Sequence, residues 1–258
     1  VSDQITDAEK KGERLNPNHA SELIVALDFP KADKALDFVD TMKGLPLIYK
    51  VGSELFMSGG AEVVRELVHR KNRVFLDLKF HDIPNTVARA ARQAALLHVD
   101  MLTLHLAGGS AMVRAVAEEL SEIPHLRPKI LGVTVLTSFN DVRWAEITKS
   151  LTGHAVDIEV SVEGLAEHAV AWGADGIVCS PLELPVLRNR FPTLYTVVPG
   201  IRPEGSELAD QARIMTPAQA RAAGANAVVI GRPITEAKDP RATIQRILRD
   251  LEALEATG

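Results

Sequence analysis

Two rhythms of apolar residues alternate along this chain. Short, nearly continuous apolar runs occupy 22–27 (ELIVAL), 47–51 (LIYKV), 73–78 (RVFLDL) and 99–104 (VDMLTL). Four more occupy 129–135 (KILGVTV), 175–179 (DGIVC), 194–198 (LYTVV) and 226–230 (NAVVI). Such runs suit a parallel sheet covered on both faces. Between them the spacing becomes helical. In 61–69, Val63, Val64, Leu67 and Val68 recur at one-turn intervals with Arg65, Glu66 and His69 between them. In 239–254, Asp239 and Pro240 supply an N-cap and a first-turn proline, followed by a stripe of Ile244, Ile247, Leu248, Leu251 and Leu254. Helices are also predicted over 31–43, 84–98, 109–121, 159–172, 182–190 and 216–223. Eight strands alternating with helices predict a single-domain α/β fold, a (β/α)8 TIM barrel over 21–258. A doubly wound open sheet is the alternative, but no G-x-G-x-x-G or G-x-x-x-x-G-K-[ST] motif supports its nucleotide-binding versions. Residues 1–20 mix charges with Asn and Pro without an apolar period, which predicts a flexible tail.

Composition narrows the class. The 258 residues fit one such barrel, which typically uses about 250. A net charge of −5 favours neither a nucleic-acid partner nor a polybasic membrane surface. No apolar run reaches the roughly 18 residues of a membrane span, and the N-terminus has no signal-like apolar segment. A lone cysteine, Cys179, excludes an intrachain disulfide and fits a reducing compartment. A soluble, cytoplasmic protein is expected.

Barrels of this kind carry their chemistry at the C-terminal strand ends. There the sequence places Asp28, Lys50, Asp77, Lys79, Asp82, His105, Thr137, Ser138 and Ser180, then Pro199-Gly200-Ile201-Arg202 and Gly231-Arg232. Charges within buried apolar runs cost several kcal/mol unless paired, so packing alone explains them poorly. A two-residue period puts Asp77 and Lys79 on one face, with Asp82 past the strand end and His81 off that face if the period persists. A lysine among carboxylates stays protonated, making it a poor Schiff-base nucleophile and a good proton donor.

A second cluster suits an anion. Gly200, Arg202, Gly231 and Arg232 follow the last two strands, where barrels hold phosphate: glycine lets backbone N–H groups approach, and arginine offers a two-pronged fork. Residues 203–213 are polar and long enough for a mobile flap. Cys179, Trp144 and Trp172 are expected to be packing residues. No spacing resembles a zinc site, so no metal is expected.

The run Asp77-Leu-Lys79-Phe-His-Asp82-Ile83-Pro84-Asn85-Thr86 resembles the signature of bacterial orotidine 5'-monophosphate decarboxylases. Ala26-Leu27-Asp28, Lys50-Val51-Gly52, Leu104-His105, Val135-Leu136-Thr137-Ser138, Pro199-Gly200-Ile201-Arg202, Gln211 and Ile230-Gly231-Arg232-Pro233 resemble further blocks of that family, in the same order over roughly 22–250. The resemblance implies conversion of orotidine 5'-monophosphate to UMP and CO2, the last step of de novo pyrimidine synthesis. It implies no cofactor and a homodimer with active sites shared across the interface. It further implies that Asp28 and Lys50 hold the ribose, Asp77 lies beside the substrate carboxylate and Lys79 protonates C6. Asp82 and Thr86 would reach in from the partner subunit, with Ile83, Pro84 and Asn85 contacting substrate beside them. Thr137 and Ser138 would lie near the pyrimidine, His105 and Pro199 at the mouth, and Gln211, Gly231 and Arg232 on the phosphate, helped by Arg202. The bare D-x-K-x-x-D core is shared with magnesium-dependent 3-keto-gulonate 6-phosphate decarboxylases, which remain an alternative. A non-catalytic nucleotide-binding barrel is another.

Overall fold

The structure is a computed structural model that describes residues 20–204 and 215–252. Eight parallel strands, β1 (Glu22–Ala26), β2 (Leu47–Gly52), β3 (Arg73–Phe80), β4 (Met101–His105), β5 (Lys129–Val133), β6 (Gly176–Val178), β7 (Tyr195–Val198) and β8 (Ala227–Ile230), pair in chain order. β8 returns to β1, with Ile24 opposite Val229, and the sheet closes into a barrel. Helices surround it: α1 (Ala32–Thr41), α2 (Ser53–His69), α3 (Pro84–Leu96), α4 (Gly109–Ser121), α5 (Asp141–Thr152), α6 (Ile158–Trp172), α7 (Leu184–Arg190), α8 (Pro217–Ala222), α9 (Arg232–Thr235) and α10 (Pro240–Leu251). The strand runs are apolar throughout because they bury both faces. Leu23, Val25 and Leu27 face the helices, while Ile24 and Ala26 join Ile48, Phe75, Met101, Leu131, Val197, Ala227 and Val229 in a separate core inside the barrel.

Polar residues close the N-terminal end of that inner core. Glu22 accepts hydrogen bonds from Arg73 (2.5 Å) and the Tyr195 hydroxyl (2.6 Å), and the Lys129 ammonium lies 5.3 Å from the Tyr195 ring centroid. The C-terminal end carries the charges described below. The expected α10 start is present: the Asp239 side chain accepts from the Ala242 N–H, and Pro240 opens the helix.

Several elements differ from the sequence expectation. β5 ends at Val133 rather than 135, and α2 begins at Ser53 rather than 61. Gly59 and Gly60 interrupt the α2 pattern, and Gly60 bends the helix with φ +58° and ψ −157°. The short α9 and the whole of α5 carry no clear apolar stripe in the sequence. α5 is held instead by an Asn140 N-cap, by a Trp144 Nε1–H bond to Ser161 (2.9 Å) and by edge-on packing of Phe139 on Trp144. Cys179 is fully buried, and burial pushes its thiol pKa up, as suits a core residue. Ser180 is also fully buried; its hydroxyl and Glu183 form a reciprocal cap on the turn after β6.

Candidate active site

β3 is two residues longer than its apolar run, and its added end is irregular. Leu76 pairs with Leu102, and the next pair is Phe80 with Leu104. Asp77, Leu78 and Lys79 therefore stand opposite Thr103 alone, an oversized bulge. Lys79 adopts φ +51°, the left-handed region that lysine rarely occupies. Its amide cannot continue the ladder and donates to Thr103 Oγ1 at 2.9 Å. The Lys79 chain folds back so that its ammonium donates to both Asp77 oxygens, at 2.8 and 2.9 Å. The two side chains meet as the two-residue period predicts, but through a bulge rather than regular alternation. The broken period also turns His81, whose exposed ring lies 5.4 Å from the His105 ring.

Lys50, on β2, extends the row. Its ammonium lies 3.6 Å from Asp77 Oδ2 and 3.5 Å from Asp28 Oδ1, giving the alternating order Asp28, Lys50, Asp77, Lys79. Close approach of glycine makes room here: a Cβ on Gly52 would sit 3.0 Å from Lys50 Nζ, and one on Gly231 would sit 3.2 Å from Asp28 Oδ2. Asp77 is only 9% exposed. Burial pushes its pKa up, but the Lys50 and Lys79 charges, with hydrogen bonds from Lys79 and Thr103, outweigh that and hold it below the ordinary carboxylate value. His105, half-buried, has its pKa lowered by burial and then by the neighbouring His81 and Lys79 charges, against a weaker opposing effect of Asp77.

Lys50, Asp77 and Lys79 of this row form one wall of a pocket of about 140 Å3. Phe75 and Val197 belong to its apolar lining, with Val133, Val135, Val178 and Val229, and Thr137 and Pro199 complete the rim. Lys50, Pro199 and Val229 also line a second cavity of about 210 Å3, beside Asp28, Gly200, Arg202, Gly231 and Arg232. The two cavities form one trough: apolar with a charged wall at one end, and cationic with close backbone at the other.

Of the residues predicted from sequence, Asp28, Lys50, Asp77, Lys79, Thr137, Pro199, Arg202, Gly231 and Arg232 line the trough. Ser138 and His105 are not among the lining residues: Ser138 is exposed next to Thr137, and His105 is half-buried within electrostatic reach of Lys79 and Asp77. Asp82, Ile83, Asn85 and Thr86 are exposed on their own chain, with Pro84 as the first residue of α3. The Asp82 carboxylate accepts from the Ile83 N–H at 2.6 Å, and no ion pair joins it to Lys79 among the described residues. Within one chain it is thus Lys50, not Lys79, that stands between two carboxylates. Gln211 and most of the expected flap lie outside the described residues. The segment's flanks meet: Ile201 bridges Met215, and the Arg202 N–H donates to the Met215 carbonyl at 2.9 Å. Thr103 escaped the sequence reading. Its one signal was parity with His105 on an inward-facing strand.

Fold and site together define a TIM-barrel protein with an ammonium–carboxylate row across its C-terminal mouth. The family model for "Orotidine 5'-phosphate decarboxylase / HUMPS family" matches residues 21–247, and the chain belongs to that family. An orotidine 5'-phosphate decarboxylase of Pseudomonas entomophila is 46% identical over 89% of this chain and 96% of its own length. One of Alkalilimnicola ehrlichii is 45% identical over 92% of this chain and 99% of its own. The crystal structure of orotidine 5'-phosphate decarboxylase from Lactobacillus acidophilus superposes with a TM-score of 0.77 at 36% identity, covering 90% of this chain and 100% of that one. No helix among the described residues is long and apolar enough to cross a membrane.

Proposed function

We infer that the protein is an orotidine 5'-phosphate decarboxylase, a carboxy-lyase that converts orotidine 5'-phosphate to UMP and CO2 in pyrimidine biosynthesis. Family membership and relatives near 45% identity over nine-tenths of the chain support this activity. The structural observation that carries the mechanistic reading is the Lys79 ammonium, fixed by both oxygens of Asp77 at the edge of an apolar pocket.

On this reading the pyrimidine enters the apolar pocket beside Thr137, its carboxylate meets the Asp77–Lys79 wall, and Asp28 and Lys50 hold the ribose hydroxyls. Gly231 and Arg232, with Arg202, receive the phosphate. The bond from C6 to the carboxylate carbon breaks, CO2 leaves, and the electron pair stays on C6. An ammonium already oriented by Asp77 stabilises that charge without reorganising, then transfers its proton to C6; solvent reprotonates the amine. Phosphate contacts far from C6 supply binding energy that orients the ring.

The second part of the reading is a homodimer with composite sites. Asp82 and Thr86 are exposed and do not line their own trough, and Ile83 between them is 67% exposed. An exposed isoleucine flanked by a carboxylate at the barrel mouth fits a surface that completes a neighbouring subunit's site.

Incubating the protein with orotidine 5'-phosphate tests the activity. The ultraviolet change from orotate to uracil, with one CO2 released per UMP, is the expected result, and it should persist with a metal chelator present. A spectrum that stays unchanged while the folded protein is present overturns the reading.

A further inference from the structure

Thr103 is fully buried in the fourth strand, facing into the barrel at the level of the charged row. Its hydroxyl has one proton and two lone pairs, and the structure fixes how they are used. A backbone N–H can only donate, so Oγ1 accepts from the Lys79 amide at 2.9 Å. Asp77, held ionised by the two ammonium groups, can only accept, so the Thr103 proton points at Asp77 Oδ1, 3.0 Å away. One side chain thus ties the left-handed backbone of Lys79 to the carboxylate that orients the Lys79 ammonium. It occupies the place in the β3–β4 ladder where three residues of one strand face one of the other.

We propose that Thr103 is a positioning residue of the decarboxylation, its hydroxyl holding the β3 bulge and the Asp77 carboxylate so that Lys79 presents its proton in a fixed direction. The proposal rests on the decarboxylase reading above. The physical reason is that the Thr103 hydroxyl holds the amide of the strained turn at Lys79 where the ladder skips. Without the hydroxyl the part-buried amide would lose that hydrogen bond. The backbone would relax toward a regular strand, swinging the lysine chain, and Asp77 would lose the bond that fixes its rotation.

Thr103→Val removes the hydroxyl at constant shape, and Thr103→Ser keeps it while removing a methyl group. With wild-type turnover measured in the same assay, Thr103→Val should lose about a hundredfold in kcat, the scale associated with a small misplacement of a catalytic group. Its affinity for UMP should stay within about threefold of wild type. The acid limb of its pH–kcat profile should move upward, because Asp77 has lost a hydrogen bond favouring its charged form. Thr103→Ser should retain kcat within about threefold. Hydrogen exchange at the Lys79 amide should be at least about tenfold faster in Thr103→Val and near wild type in Thr103→Ser. Wild-type kcat in Thr103→Val, or equal losses in the valine and serine variants, overturns the proposal, as does an unchanged Lys79 exchange rate. If Thr103→Val does not fold, Thr103→Ala takes its place with the same expected results. An inactive wild type would instead defeat the decarboxylase reading, and the exchange rates would still decide whether Thr103 anchors the bulge.

Discussion

Asp77 is ionised because two ammonium groups and a hydroxyl outweigh its burial, and that balance has a thermodynamic consequence. Its folded pKa lies below the unfolded value, so its contribution to stability is full above an unfolded pKa of about 3.9 and is lost as pH falls through the folded value. Asp77→Asn leaves Lys50 and Lys79 beside a neutral group, so it should be less stable than wild type at neutral pH, with the gap closing in acid. Urea denaturation at pH 7 and at pH 3 checks this; a gap unchanged between the two would contradict the sign. The sequence made the charged pair legible because charges rarely interrupt a buried apolar run. It concealed Thr103, since a threonine in a strand reads as ordinary β structure. Only the coordinates show the Lys79 amide turned onto it.

The eight strands were legible element by element, because each is a short apolar run bounded by turns and the parallel sheet buries both faces. What the pattern missed lies where something other than periodicity decides. Two glycines mask the first turns of α2, side-chain anchors rather than an apolar stripe hold α5, and a bulge lengthens β3. At the ends of β7 and β8, Pro199, Arg202, Gly231 and Arg232 gather around one cavity although some thirty residues separate them in sequence. If this cavity takes the phosphate, Arg232→Ala should weaken substrate binding by about 2 kcal/mol, roughly thirtyfold, the scale of a hydrogen bond to a charged group. KM for orotidine 5'-phosphate should rise, while any turnover of orotidine, which lacks the phosphate, should not change. Equal effects on both substrates would remove Arg232 from the phosphate site.

Across the molecule, Lys79 is tied to its own barrel, whereas Asp82 is exposed past the end of the strand. If the sites are shared in a two-fold dimer, Lys79→Ala and Asp82→Ala homodimers should each be strongly impaired. A mixed dimer then holds one site with both lesions and one with neither, by the symmetry of an isologous interface. Mixing the two variants, with exchange followed by a mass tag, should restore about half the wild-type activity per mixed dimer. Verified exchange without recovery would place Asp82 in its own subunit's site. The signature 77–86 made these residues conspicuous in the sequence, but no pattern along a single chain reveals which subunit's site a surface residue completes.

On the proposed mechanism the Lys79 ammonium acts on charge developing at C6 rather than on binding of the ground state. Lys79→Ala, assayed for kcat on orotidine 5'-phosphate and for affinity toward UMP, tests it most directly. The expected result is a loss of at least about a thousandfold in kcat, with UMP affinity changed by less than about tenfold. A variant that kept a tenth or more of wild-type kcat would contradict it.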